Sequence, residues 1–396
     1  MVFIKNENLS FGNDLNKNIL LIGDNKYCLE YLLNEYSNKI DVIYIDPPYG
    51  TAGSKGKPST NYNHLTREKL LNFLEERLLL AKNLLSDTGS IWITMDYRNI
   101  AYTRILMDRI FGENNFLMDL IRIQSNRSMC ATNNLNMCHD YTLAYGKTSN
   151  VFIKGYGDIE NHKKYKNPDN DPKGSWIKIN PRKERGNVKG FYYTVTNTYT
   201  GQIHKPENGF GWHFTEKSFY EHIKTGRIVF LKEPVKEGKL SFYIKAYLND
   251  VKNKEKCLSS IDTIDMKYTC NHGVKELLAL GFERVFSFPK PVSFVKKILQ
   301  HTTKKDSVVL DFFAGSGTTG QSVLDINRDD NGERKFILCQ LNEKTYNCPN
   351  SIAHDVTVKR LKRVMTGECY NGYVPKKWLE KNKPYGGSLD VLEYVE

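Results

Sequence analysis

An acidic residue followed by two prolines, at the end of an apolar run, restricts this chain more than any other local pattern. Ile40-Asp41-Val42-Ile43-Tyr44-Ile45 is short, β-branched and mostly apolar, the composition of a buried parallel strand. Asp46-Pro47-Pro48-Tyr49 follows at once. Neither proline has an N–H to donate, so the ladder stops there. Asp46 is thereby set at the carboxyl end of the strand, where open α/β sheets place their ligands. The proline carbonyls stay free to face a pocket.

Alone, the motif has two readings. One is a Pro-Pro turn with a capping Asp. The other is chemical: an acidic acceptor, free carbonyls and an aromatic ring suit a planar group that carries an NH2. The lone pair of such an amine is delocalised into its ring, which makes it a poor nucleophile. Hydrogen bonds from the amine to Asp46 and to the Pro47 carbonyl would localise that pair. Tyr49 would stack on the ring, worth roughly 1–3 kcal/mol per base, and Pro48 would fix the turn. A methyl donor placed opposite would be attacked directly, with no catalytic Cys.

A second pattern lies far downstream. Ser307-Val308-Val309-Leu310-Asp311 reads as a strand, followed by Phe312-Phe313-Ala314-Gly315-Ser316-Gly317-Thr318-Thr319-Gly320 and a helical run. Gly315 and Gly317 allow backbone to approach a ligand closely, and the next helix start offers N–H groups. Nucleotide sites of several kinds share such a turn. This one lacks the Lys-Ser/Thr of a phosphate loop and the glycine spacing of a dinucleotide fold. It looks like an S-adenosylmethionine turn.

Together the two motifs resemble the amino-group DNA methyltransferases. Their order, catalytic motif before cofactor motif, is similar to the β class, and most of all to the modification (Mod) subunits of type III restriction–modification systems. Gly23-Asp24-Asn25, residues 65–95, residues 139–147, Phe288-Pro289-Lys290-Pro291 and residues 334–340 carry the resemblance further. It covers about residues 1–147 and 285–367. It implies a doubly wound, mostly parallel α/β sheet in permuted order, with an inserted α+β target-recognition domain. It also implies N6-adenine methylation of a flipped-out base in double-stranded DNA, with Asp46, Pro47, Pro48 and Tyr49 as the catalytic group. S-adenosylmethionine would be held by Asp24, Lys290, Asp311, Phe312, Ala314, Gly315, Ser316, Gly317, Thr318, Thr319 and Gln340. Gln340 stands where an acidic residue usually meets the ribose, with Glu343 three residues on. Asp24 has capping of the next helix as its other reading. N4-cytosine methylation uses the same geometry, although cytosine members more often carry Ser where Asp46 stands. RNA methylation and a non-methylating DNA-binding subunit are the further alternatives. A homodimer and a restriction (Res-like) partner are implied as well, in the cytoplasm of a bacterium or phage.

The 396 residues suffice for more than one domain. Expected bounds are 1–123 and 287–367 for the two catalytic halves, 124–286 for recognition, with a strand at its start that can belong to the catalytic sheet, and 368–396 for a tail. No apolar run is long enough to span a bilayer, and no signal-peptide pattern is present. The eight cysteines include no Cys-x-x-Cys pair, so reduced thiols and no zinc site are expected. Net charge is +12, and residues 151–270 carry 22 Lys and Arg against 14 Asp and Glu. A basic, aromatic-rich middle suits a polyanion, although most of its aromatics are expected to be core. Asn126, Arg127, Arg182, Lys183 and Arg185 are the candidate DNA contacts. The polar, Gly-rich loop 50–63 is read as a lid over the pocket or as a plain mobile loop. Residues 352–365 are expected to form a helix with a basic face.

Overall fold

The computed structural model describes residues 2–13, 17–49, 65–124, 137–157, 164–184, 188–251, 255–283 and 285–395. The loop 50–63 lies outside the described residues, and so do Asn126, Arg127 and Arg185. The chain divides into two compact units, 1–154 with 257–396, and 155–256.

In chain order, the first unit opens with β1 (Val2–Lys5), β2 (Asn18–Ile22), α1 (Asn25–Tyr36), β3 (Ile40–Ile45), α2 (Arg67–Leu84), β4 (Leu85–Met95), α3 (Ile100–Phe111), β5 (Phe116–Ile123) and β6 (His139–Gly146). The inserted unit holds β7 (Trp176–Ile179), β8 (Arg182–Glu184), β9 (Val195–Thr196), β10 (Ile203–His204), β11 (Phe210–Trp212), α4 (Glu216–Lys224), β12 (Ile228–Phe230) and β13 (Phe242–Tyr247). The chain then returns to the first unit with α5 (Cys270–Ala279), α6 (Val292–Thr302), β14 (Val308–Asp311), α7 (Thr318–Asp330), β15 (Lys335–Gln340), α8 (Val358–Thr366), α9 (Lys376–Leu379) and β16 (Leu389–Val395).

Among the described residues the first unit builds one nine-stranded sheet, ordered β1-β16-β2-β15-β14-β3-β4-β6-β5. The six strands from β16 to β4 run parallel. β1 pairs antiparallel to β16, and β6 antiparallel to β4 and β5. β3 shows why its sequence lacks polar alternation. Val42 and Tyr44 enter one core with Phe294 and Ile298 of α6, while Ile43 and Ile45 enter another with Leu74 and Leu78 of α2. With both faces covered, every position is apolar or shielded. From β3 the chain proceeds outward to β4, and from β14 outward to β15 in the opposite direction. The strand order therefore reverses between β3 and β14, the place where doubly wound sheets open a ligand crevice.

The inserted unit is built on a β12-β13-β7 sheet and the β8–β11 and β9–β10 pairs. Val195, Trp212, Phe219, Ile228, Phe242 and Ile244 form its core. Among the described residues no helix is long and apolar enough to cross a membrane.

Three expectations are corrected. The recognition segment is narrower than 124–286. β6 hydrogen-bonds into the large sheet, and Leu277 of α5 shares a core with α6, so 124–154 and 257–286 belong to the first unit. The segment 368–396 is more than a tail, because β16 inserts between β1 and β2 and buries Leu389 and Val391. Residues 352–365 begin as a π-turn, Ala353–Thr357, before α8. Arg360 and Arg363 of that helix are buried rather than solvated.

Candidate active site

β3 delivers Asp46 to its carboxyl end, and both Asp46 oxygens are engaged there. The Tyr49 hydroxyl donates to Oδ1 at 2.9 Å. The Lys290 ammonium donates to Oδ2 and also stands 3.2 Å from the Tyr49 hydroxyl. Pro47 is buried and Pro48 half-buried. Asn99, preceding α3, donates its amide to the Tyr49 carbonyl at 2.6 Å, which fixes the motif at its far end. Burial, with Asp46 and Asp140 nearby, holds the Tyr49 hydroxyl well above the usual tyrosine pKa. It therefore stays a donor throughout the neutral range.

Behind Tyr49 stands a fully buried ion pair. Arg122 of β5 grips both oxygens of Asp140 on β6, through Nε at 3.0 Å and through a second guanidinium nitrogen. Asp140 also accepts from Gln124 at 3.1 Å, and Tyr49 approaches it at 3.5 Å. Burial opposes the Arg122 charge, and Asp140 outweighs it, so the guanidinium pKa lies well above its ordinary value. Sequence reasoning missed Arg122, Asp140 and Asn99 as supports of the motif. For Arg122 and Asp140 the available signal was a charge of opposite sign within each of two strand-like runs.

The glycine-rich turn stands on the neighbouring strand, since β14 pairs with β3 through Val309↔Val42 and Leu310↔Ile43. Asp311 is buried and spends its carboxylate on the turn itself. It accepts from the Phe313 N–H at 2.9 Å and from the Thr319 hydroxyl at 2.5 Å. Burial pushes its pKa up to about 7, with the Asp46 charge adding to the rise. Phe312 points into the core beneath α1 and α2, and Ala314 is buried. Gly315 (φ 52°) and Gly317 (φ 78°) take the left-handed conformation that glycine supplies without strain. Gly317 opens α7 with no side chain capping it, and the first N–H groups of a helix lack intrahelical partners. Ser316 and Thr318 are buried against the Arg360 guanidinium, at 3.0 and 2.9 Å. The Thr318 hydroxyl also donates to the Lys290 carbonyl at 2.9 Å.

Gln340, at the end of β15, turns inward. Its amide oxygen accepts from the Gly315 N–H at 2.7 Å, so it braces the turn. Asp24 caps α1 by accepting from the Lys26 N–H at 2.8 Å and pairs with Arg77 at 2.9 Å. The next residue, Asn25, donates to the Phe312 carbonyl at 2.9 Å. The carboxyl ends of the neighbouring parallel strands β2 and β15 thus converge on the turn. In the inserted unit, Arg182 is paired with Glu207 at 2.8 Å, and Lys183 is exposed.

The DNA methylase family profile matches residues 40–351, which include both motifs. The chain is 31% identical over 370 residues to the Mod subunit of the type III restriction–modification enzyme StyLTI of Salmonella typhimurium, covering 86% of this chain and 54% of that subunit. It is 28% identical to the EcoPI Mod subunit of Escherichia phage P1, over 91% of this chain and 64% of that one. It is 29% identical to the type II methyltransferase M.KpnI of Klebsiella pneumoniae, covering 89% and 88%. The chain thus spans between half and two thirds of these type III subunits and most of the type II enzyme. With Asp46 and the glycine-rich turn side by side inside the matched region, this chain belongs to the DNA methylase family.

Proposed function

We propose that this chain transfers a methyl group from S-adenosylmethionine to the N6 amine of adenine in double-stranded DNA. The observation that carries the proposal is the adjacency of β3 and β14, with Asp46 and the uncapped start of α7 at neighbouring carboxyl ends. Relatives named as Mod subunits and as a type II methyltransferase support it.

The residues present fit the cofactor. Free N–H groups at the start of α7 and two left-handed glycines suit a carboxylate or hydroxyl placed close to backbone. When bound, S-adenosylmethionine supplies an electrophilic methyl group on that sulfonium. The remaining work falls to this chain. Asp46 and the Pro47 carbonyl accept from the target amine and localise its lone pair, and the Asp46 charge offsets the positive charge that develops on nitrogen. Tyr49, anchored through its hydroxyl, offers its ring to the base. The amine of a paired base is out of reach, so the base must leave the stack.

Asp at the first position of the motif favours adenine over cytosine. Residues 155–256, which hold most of the net positive charge, are assigned to target recognition, with phosphates as the first partners. A second copy of the chain and a restriction subunit are the protein partners to test; the coverage of a type II enzyme equally fits a methyltransferase that works alone. Expression in cells lacking adenine-N6 and cytosine-N4 methylation, followed by nucleoside mass spectrometry of their DNA, tests the proposal. N6-methyladenine is expected, and it disappears with Asp46→Ala. N4-methylcytosine would overturn the base, and neither product would overturn the reaction.

A further inference from the structure

Lys290 sits where the two halves of the site are joined. Its main chain belongs to the cofactor side, because the Thr318 hydroxyl at the start of α7 donates to its carbonyl at 2.9 Å. Its side chain belongs to the catalytic side: the ammonium donates to Asp46 Oδ2 and lies 3.2 Å from the Tyr49 hydroxyl. The residue is only 7% exposed, so its charge is committed to that place. Among the described residues, Asp46 is the carboxylate it pairs with. With the Tyr49 hydroxyl on Oδ1, each Asp46 oxygen already has a donor.

An ammonium resembles the target amine in the one respect Asp46 can sense, since both present N–H donors. The two differ in what happens next. The amine nitrogen becomes cationic as it accepts a methyl group, and a fixed ammonium on the same carboxylate would oppose that charge. Asp46 cannot serve both at full strength. The lysine stem has four flexible carbons, so the ammonium can leave while the carbonyl stays on Thr318.

We propose that Lys290 is a stand-in for the target amine: it occupies the acceptor side of Asp46 and Tyr49 in the base-free protein and withdraws when the base enters. Lys290 is then a positioning residue that acts through Asp46. The inference rests on the methyltransferase reading and deepens it. It also departs from the expectation that Lys290 contacts the cofactor.

The stand-in role and a merely structural role predict opposite signs. Removing the buried Lys290 ammonium leaves the half-buried Asp46 charge uncompensated. Lys290→Met therefore destabilises the base-free protein, and the loss is recovered once an amine fills the place. Thermal stability should fall while the apparent KM for DNA also falls, by about threefold or more. A structural role would lower stability and raise KM together.

The experiment measures Tm, cofactor affinity by calorimetry and initial methylation rates on unmethylated genomic DNA, for the unaltered chain, Lys290→Met and Lys290→Arg. The expected result is a lower Tm and lower KM in Lys290→Met, a cofactor Kd within about twofold of the unaltered chain, and a return of both parameters in Lys290→Arg. In an Asp46→Asn background, the Tm effect of Lys290→Met should vanish, because the coupling is between these two residues. A higher KM in Lys290→Met, a cofactor affinity weakened about tenfold, or an undiminished Tm effect in the Asp46→Asn background overturns the stand-in role. No product from the unaltered chain overturns the methyltransferase reading itself, and the inference falls with it.

Discussion

The two units of this chain differ in how their charge is balanced. Residues 155–256 hold 20 Lys and Arg against 12 Asp and Glu, which is +8 of the chain's +12 within about a quarter of its length. In the larger unit charges come nearly balanced, and several cations are buried against a carboxylate: Arg122 with the buried Asp140, Lys290 with the half-buried Asp46, Arg360 with the half-buried Glu276. The inserted unit buries a small aromatic core and leaves Tyr199, Ile203 and Tyr220 more than half exposed. The larger unit thus folds around several polar groups, whereas among the described residues the inserted unit buries one ion-pair cluster, Lys245 with Asp171 and the more exposed Asp169. Buried paired charges position atoms; unpaired surface charge attracts a polyanion. That division is what a methyltransferase needs when one part does chemistry and another reads a site.

The comparison breaks most easily at the core of the inserted unit. Trp212 is fully buried, and its indole N–H donates to the Tyr193 carbonyl at 2.7 Å. Trp212→Ala should cost about 3–5 kcal/mol and unfold the inserted unit first. Cofactor binding, followed by calorimetry, should survive. Loss of both together would show that the units do not fold separately.

A smaller effect is expected at Gly317. Its φ of 78° disfavours any side chain, and a Cβ there would lie 3.3 Å from Thr357 Cγ2. Gly317→Val should carry strain of about 1–3 kcal/mol and weaken cofactor binding by at least about tenfold. Retention of DNA by the same variant in a gel-shift assay would sharpen the contrast between the units.

Asp311 should leave a trace in the pH dependence of stability. Its folded pKa of about 7 lies above the 3.8 of an ordinary Asp, so the folded state binds the proton more tightly. Its contribution is present below pH 4 and is lost as pH rises through 7. Asp311→Asn keeps the shape and cannot ionise, so the fall in Tm between about pH 5 and pH 7.5 should become shallower by a few degrees. An unchanged slope would place the titration elsewhere. Glu276 is the alternative group, pushed up to about 7 by burial against the pull of Arg360.

The smallest effect per residue belongs to the basic surface. Lys183 is exposed, and so is Lys205 beside the Tyr192 ring. Lys183→Glu with Lys205→Glu should reduce the salt slope of DNA binding by about 1 for each phosphate that is no longer neutralised. Tm and cofactor affinity should not move.

What could be read in advance divides along physical lines. Strand β3, its Asp-Pro-Pro stop, the glycine turn and the apolar face of α2 are local patterns, and each lies where its sequence places it. Pairings between distant segments left no local mark. Nothing in Val309 announces Val42 as its neighbour, and nothing in Lys290 announces Asp46. β16 was hidden because Asp390 and Glu393 interrupt its apolar residues. In the fold, Asp390 reaches Lys5 and Lys17 while Leu389 and Val391 are buried. Arg360 reads as a solvated helix charge until Ser316, Thr318, Gln321 and Glu276 are brought around it. Gln340 departs from the expected acidic residue, and its bond to the Gly315 N–H shows what an amide does there.

The central claim is that Asp46 and the glycine-rich turn form one site with separable duties. The direct measurement pairs calorimetric binding of S-adenosylmethionine with nucleoside mass spectrometry of unmethylated DNA treated with purified protein. Asp46→Ala should keep cofactor affinity within about twofold while methyl transfer drops by about 10³-fold. Methyl transfer that persists in Asp46→Ala at close to the unaltered rate would contradict the account.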